Sequence, residues 1–374
     1  MAGTFGASIQ AALMRAAIEQ HWAGGQVVTT DAVLRALLAC QADDVRKLLE
    51  VAGELGTPVS YGMRHSAQDG PPPAQDHPEV EATLREAGWH AGRLPRGTSG
   101  RIEWSDGVRG VLGRALGHAA RGGVTRAAAA HLVLAMLTEP GCRAVRMFPA
   151  TGDRIAGRLA ADPLLAEDAL PHPRPDDLIA RAGRDRRRTW SAGLVRRMER
   201  IGRYNPLWVE VEWARRRNAV RLGHGIVTVA HTVVALVDIE ERVRLYDVRL
   251  PARDAAANTA GARLAEAGAT LEGLLGHARV AGDDAELADL AAVEERMRER
   301  RWNDPLWSRE VVAAERRAEG IALDAHHPCT GTTHLLAALL ETAPAQTSAA
   351  LDAVGALGVP GLIAADLERI GAAW

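Results

Sequence analysis

The chain has 374 residues, 47% of them apolar and only 4% aromatic, with a formal net charge of −2. That length holds about two ordinary domains or one array of smaller units, and the near-zero charge argues against a globally basic nucleic-acid binder. No apolar run reaches the roughly 18 residues that a membrane span needs, so no membrane partner is expected.

Ala, Leu, Arg and Glu dominate and no stretch sustains a period-2 alternation of β-branched residues, which predicts an all-α fold. Phe5 and Gly6 precede a first helix, SIQAALMRAAIEQHW from Ser8, and a second follows at DAVLRALL, Asp31 to Leu38. The stretch Thr57 to Pro78 carries PPPAQDHP and little apolar content, and reads as a flexible linker. After Trp104 and Ser105 come DGVRGVLGRALGHAA from Asp106 and AHLVLAML from Ala130 to Leu137. Residues 162–177, DPLLAEDALPHPRPDD, are too rich in proline to continue a helix.

An arginine-rich helical piece at 178–203 leads to Tyr204 and Asn205, and AHTVVALV runs from Ala230 to Val237. Extra residues, DIEERVRLYDVRLPARDAAAN, separate that stripe from Gly268, and another extra helix is expected at 285–302. Trp307 and Ser308 open the last segment, THLLAALL runs from Thr333 to Leu340, and a glycine breaks the closing stretch Leu351 to Ile370.

A repeat underlies this order. Counting back 27 residues from His334, His231, His131 and Ala32 lands on Trp307, Tyr204, Trp104 and Phe5. Alanine follows each of these slots by four residues, at Ala36, Ala135, Ala235 and Ala338, and two apolar residues come next. A small residue among large ones at helical spacing suits a close helix crossing. Gly6, Ser105, Asn205 and Ser308, one after each aromatic, are N-cap types.

The prediction is therefore four helical repeats starting near 5, 104, 204 and 307, in two pairs. Residues 1–161 form the first half with its linker at 57–78, 162–177 join the halves, and 178–374 form the second half with its extra helices. Arg203–Trp208 (RYNPLW) echoes Arg301–Trp307 (RWNDPLW), but about one turn out of phase, which predicts that one first helix has shifted.

With GTTHLLAALL at Gly331 to Leu340 and LGHGIVTVAH at Leu222 to His231, the pattern resembles the repeat of Clp-type AAA+ unfoldase N-terminal domains. The resemblance covers most of the chain and implies two N-domain-like bundles in tandem, each with a pseudo-twofold. It implies recognition of a substrate, adaptor or protease-complex partner, a Clp protease component or its clients, with a small cyclic peptide as another ligand. In some members it extends to phosphoarginine, held by a Glu just before the His; that slot here holds Asp31, Ala130, Ala230 and Thr333. The partner-binding residues so implied are Phe5, Gly6, Asp31, Trp104, Ser105, Tyr204, Trp307, Ser308, Thr332 and Thr333; the four aromatics also read, and read first, as core residues of the repeat.

No catalytic chemistry is legible. A phosphate loop needs a lysine after its glycines, and the one lysine, Lys47, sits in DDVRKLLE, so no ATPase module is expected. There is no G-x-S-x-G elbow. Cys40, Cys142 and Cys329 are odd in number and contain no CxxC pair, which fits a reduced, cytoplasmic setting. His326, His327, Cys329 and His334 lack the i, i+4 spacing of a zinc site, and the repeated histidines read as buried or capping residues. No cofactor or metal is expected.

One charge cluster stands apart. Between Leu178 and Leu222 there are 13 arginines against 4 acids. Arg186, Arg187, Arg188, Arg196, Arg197, Arg215, Arg216 and Arg217 make up a basic patch that reads as a solvated face, a docking surface for an acidic protein, or a DNA contact. Three functions follow: a non-catalytic recognition module, a decoy that sequesters molecules aimed at a true unfoldase, and a DNA-binding regulator.

Overall fold

The computed structural model describes residues 3–40, 69, 77–92, 102–139, 141–147, 206–245, 247, 250, 252–281, 304–327 and 329–372. They fall into two compact units, Met1–Arg174 and Pro175–Trp374, each with its own apolar core. Both are mainly helical, and the two proline-rich linkers and the two extra helical pieces lie almost wholly outside the described residues.

In the first unit the order is β1 (Thr4–Phe5), α1 (Ala7–Trp22), β2 (Val27–Val28), α2 (Thr30–Ala39), α3 (Pro78–Gly92), β3 (Glu103–Trp104), α4 (Asp106–Arg121), β4 (Arg126–Ala127), α5 (Ala129–Leu137) and a 3-10 turn at Arg143–Met147. The apolar stripe explains the first helices. Ile9, Ala12, Leu13, Ala16 and Ala17 in α1, and Val108, Val111, Leu112, Ala115 and Leu116 in α4, are buried at i, i+3, i+4, i+7, i+8 spacing. Removing Leu13 to its Cβ would cost about 2–5 kcal/mol.

The second unit runs α6 (Pro206–Leu222), β5 (Ile226–Val227), α7 (Val229–Leu245), α8 (Ala252–Ala256), α9 (Ala260–Glu266), α10 (Leu271–Ala281), β6 (Leu306–Trp307), α11 (Arg309–Asp324), α12 (Thr332–Thr342), α13 (Pro344–Asp352) and α14 (Val359–Ala372). The extra residues after the stripe of α7 lengthen that helix to Leu245 and add α8.

The two-residue strands are too short to leave an alternation in the sequence, and they do the cross-linking. In the first unit β1 pairs parallel with β4, Phe5 opposite Ala127, while β2 pairs parallel with β3, Val28 opposite Trp104. Each aromatic segment thus docks on the other repeat. The next residue completes the ladder, Gly6 N–H donating to Ala127 O and Ser105 N–H to Val28 O, both at 3.0 Å. In the second unit β5 pairs with β6, and Ser308 N–H donates to Val227 O at 2.9 Å. The reciprocal position there, around Tyr204, lies outside the described residues.

A shared turn follows every first helix, 19 residues after the aromatic. Gly24, Gly123, Gly223 and His326 all have positive φ, at 71, 72, 84 and 55°. In each, the amide of the next residue reaches back to the carbonyl five residues earlier, as in Gly25 to Gln20 and His327 to Ala322, which closes the helix end. Gly268 and Gly355, at φ 89 and 71°, end α9 and α13 in the same way.

The expected helix shift is absent. α6 begins two residues after Tyr204 and α11 two residues after Trp307, so the 27-residue frame holds in both. The echo misaligns instead: Trp208 lies in the first turn of α6, whereas Trp307 lies in β6.

Candidate functional site at the helix starts

Among the described residues, α2, α5 and α7 begin just after a strand paired with the other repeat, so these second-helix starts lie beside it. Three second helices are capped by their own histidine. The Nδ1 of His131, His231 and His334 accepts from the backbone N–H three residues earlier, of Ala128, Thr228 and Gly331, at 3.0, 3.0 and 3.1 Å. Accepting at Nδ1 places the proton on Nε2. In the second unit that Nε2 meets the Nδ1 of a further histidine, His224 at 3.0 Å and His327 at 2.7 Å. Burial keeps these rings neutral: it pushes His231 down to about 3 and His334 down to about 4, with the neighbouring histidine adding to the effect. In the first unit the partner slot holds Val124, and the buried Nε2 of His131 finds no acceptor among the described residues.

The α2 start differs, because Ala32 occupies the histidine slot. Thr29, placed to cap it, turns its hydroxyl to Asp31 at 2.6 Å. The start is closed by Asp69, 39 residues further on. Thr30 N–H and Thr30 Oγ1–H donate to the Asp69 carboxylate at 2.6 and 2.5 Å, Ser105 Oγ–H at 2.6 Å, and Arg143 N–H at 3.0 Å. Asp69 therefore ties α2, the cap of α4 and the 3-10 turn together. Its backbone lies so close to the first turn of α4 that a Cβ on Gly107 would stand 1.6 Å from the Asp69 carbonyl oxygen. Behind it, Cys142 is buried, which pushes its thiol up to about 11, against activation as a nucleophile.

At the α12 start, neutral groups do the closing. Thr332 N–H donates to Asn258 Oδ1 at 3.0 Å and Thr333 N–H to Ala257 O at 3.1 Å. Thr259 Oγ1–H donates to Asp366 at 2.6 Å, and Arg263 grips both oxygens of that carboxylate at 2.8 Å, which holds Asp366 below the usual carboxylate range.

Several expected site residues turn out to be internal. Phe5, Trp104 and Trp307 are buried, so none lines an open groove, and Trp104 Nε1–H donates to Leu84 O at 3.2 Å. Tyr204 lies outside the described residues. Gly6 caps α1 by backbone alone, while Ser105 and Ser308 accept from the N–H of Val108 and Val311. Asp31, the one acid left in the phosphoarginine slot, is buried and already ion-paired with Arg35 at 3.1 Å and Arg143 at 3.5 Å. Thr332 and Thr333 are buried under the 257–259 turn.

Three arginines of the expected basic patch, Arg215, Arg216 and Arg217, are likewise engaged within the fold. Arg215 is wholly buried and pairs with Glu315 at 2.7 Å, Arg216 meets Glu212 at 2.8 Å and Asp304 at 3.3 Å, and Arg217 meets Asp238 at 3.4 Å. A helix inside the fold turns such a run inward when acids on other elements face it. Arg186, Arg187, Arg188, Arg196 and Arg197 lie outside the described residues.

Sequence reasoning missed Asp69, Arg143, Asn258, Arg263 and Asp366. Asp69 sits in the stretch read as a flexible linker, yet it is buried and fully engaged. None of the five belongs to a periodic stripe, so no pattern marked them. Among the described residues no three His, Cys, Asp or Glu side chains are placed to hold a metal ion, and no helix is long and apolar enough to cross a membrane.

Comparison with family models, with curated proteins and with solved structures returns no match.

Proposed function

We propose that the chain is a non-catalytic recognition module, built from four helical repeats of the Clp N-domain kind in two tandem pairs, that binds a protein or peptide. Its partner is a Clp protease component, an adaptor or an unfolded client. One observation supports this reading above the others. In the first unit the aromatic strand of each repeat pairs with the strand ahead of the other repeat's second helix. This brings helix starts from both repeats to one place, as a pseudo-twofold recognition domain requires. The burial of polar side chains in capping and pairing, with the Cys142 thiol held protonated, accords with a binding role rather than catalysis.

The test titrates the immobilised full chain with purified Clp unfoldase, Clp peptidase and unfolded casein, and with a cyclic peptide directed at unfoldase N-domains. Saturable binding of at least one of them in the micromolar range is expected. Absence of binding by all four at about 100 µM, where a Kd of that order corresponds to about −5.5 kcal/mol, removes the reading.

A further inference from the structure

We propose that Asp69 is an internal ligand: its carboxylate fills an oxyanion cradle between the two repeats of the first unit and keeps external oxyanions out of it. The cradle is made by the starts of α2 and α4 and the amide of Arg143, which together supply four donors to one carboxylate. Helix starts favour negative charge because their first N–H groups lack partners within the helix. A local cap would come from Thr29, the residue just before α2. That hydroxyl goes to Asp31 instead, and the acceptor arrives from far along the chain.

A second observation points the same way. Arg143 is 9% exposed, and its buried Nε makes no hydrogen bond among the described residues. Its ion pair with Asp31, at 3.5 Å, is longer than a hydrogen bond. A buried guanidinium whose Nε reaches Asp31 Oδ1 only at ion-pair distance, on the residue whose amide already binds the Asp69 carboxylate, suits a second oxyanion. By contrast the α12 start is filled by the amide of Asn258 and a backbone carbonyl, which carry no net charge. The first unit therefore has the chemistry to take a carboxylate or a phosphoryl group, and holds its own in that place.

This rests on reading the helix starts as the recognition surface, but the test reads the cradle alone. Wild type, Asp69→Ala and the Asp69→Ala/Thr30→Val double variant of the full chain are melted in sodium formate or inorganic phosphate, up to about 100 mM, against sodium chloride of matched ionic strength. The expected result is a saturable rise of roughly 2–4 °C in Asp69→Ala, as for a ligand with a Kd of about 10 mM, absent from wild type and lost in the double variant. Formate alone being effective identifies a carboxylate site, and both anions an oxyanion site wide enough for phosphate. If Asp69→Ala does not fold in chloride, refolding by formate or phosphate is the supporting result. The isosteric, uncharged Asp69→Asn is read by the same melts. Equal responses of wild type and variants to each anion, or no response and no refolding, overturn the proposal. Those outcomes leave partner binding as a separate question, and loss of partner binding with anion rescue intact would spare the cradle.

Discussion

The two units bury different chemistry at matching places in the repeat. Eleven residues after the aromatic the first unit has Ala16 and the second Arg215, and eight after it, in the other repeat, Leu112 corresponds to Glu315. All four are buried. One core is closed by apolar contact, the other by an ion pair in which Arg215 gives a single hydrogen bond to Glu315 and lies 4.6 Å from the Trp307 ring centre. Its Nε and Nη1 have no hydrogen-bond partner among the described residues. Helix packing at this place therefore depends on filling the position. The charge is an addition whose desolvation the single bond and the ring only partly offset.

Breaking that pair gives the largest expected effect. Arg215→Met or Glu315→Leu alone removes one member of a buried ion pair and should cost about 3–5 kcal/mol, whereas the double variant should be neutral or up to about 4 kcal/mol more stable than wild type. Urea unfolding of the four proteins gives the coupling energy. Single variants within about 1 kcal/mol of wild type would show that the pair is solvated.

The histidines sharpen the contrast further. The second unit holds two neutral pairs, His224–His231 and His327–His334, and the first a single unpaired ring, His131. Folding lowers the pKa of His231 and His334 from 6.5 to about 3 and 4. The unfolded chain therefore takes up protons near pH 6.5 that the folded chain refuses. Their contribution is complete above that pH and is lost as pH falls toward 4, by at most about 1.4 kcal/mol per pH unit for each histidine. His231→Gln/His334→Gln keeps an acceptor for the capped amide and should flatten the fall between pH 6.5 and 5 by roughly 2–4 kcal/mol. His131→Gln, in the first unit, should flatten it less. Equal slopes for all three proteins in denaturant titrations would sink this account.

How much of this was legible in the sequence follows from what is periodic. The helices, the 27-residue frame and the breaks at Gly268 and Gly355 could be read, because each rests on spacing within a short stretch. The swapped strands could not, since two residues carry no alternation. Arg215 to Arg217 read as a solvated run because the acid opposite Arg215 lies 100 residues away. Asp69 was hidden in a proline-rich stretch whose composition says nothing of one buried carboxylate. Polar contacts that join distant segments depend on the completed fold, and they are what distinguishes one helix start from another.

The smallest expected effect concerns the shared turn. Three repeats place glycine at the left-handed position, and the fourth places His326, at φ 55° and exposed. An L residue with a Cβ costs about 1–2 kcal/mol in that conformation, part of which glycine gives back through its freer unfolded chain. His326→Gly should therefore raise stability by about 0.5–1 kcal/mol, although it removes a side chain. Gly223→Ala, the reverse change at the equivalent turn, should lower stability by about 1 kcal/mol. Shifts of opposite sign in the urea midpoint, at unchanged slope, would place the difference in the turn itself. A destabilised His326→Gly would instead mean that the imidazole makes a contact worth more than the strain it causes.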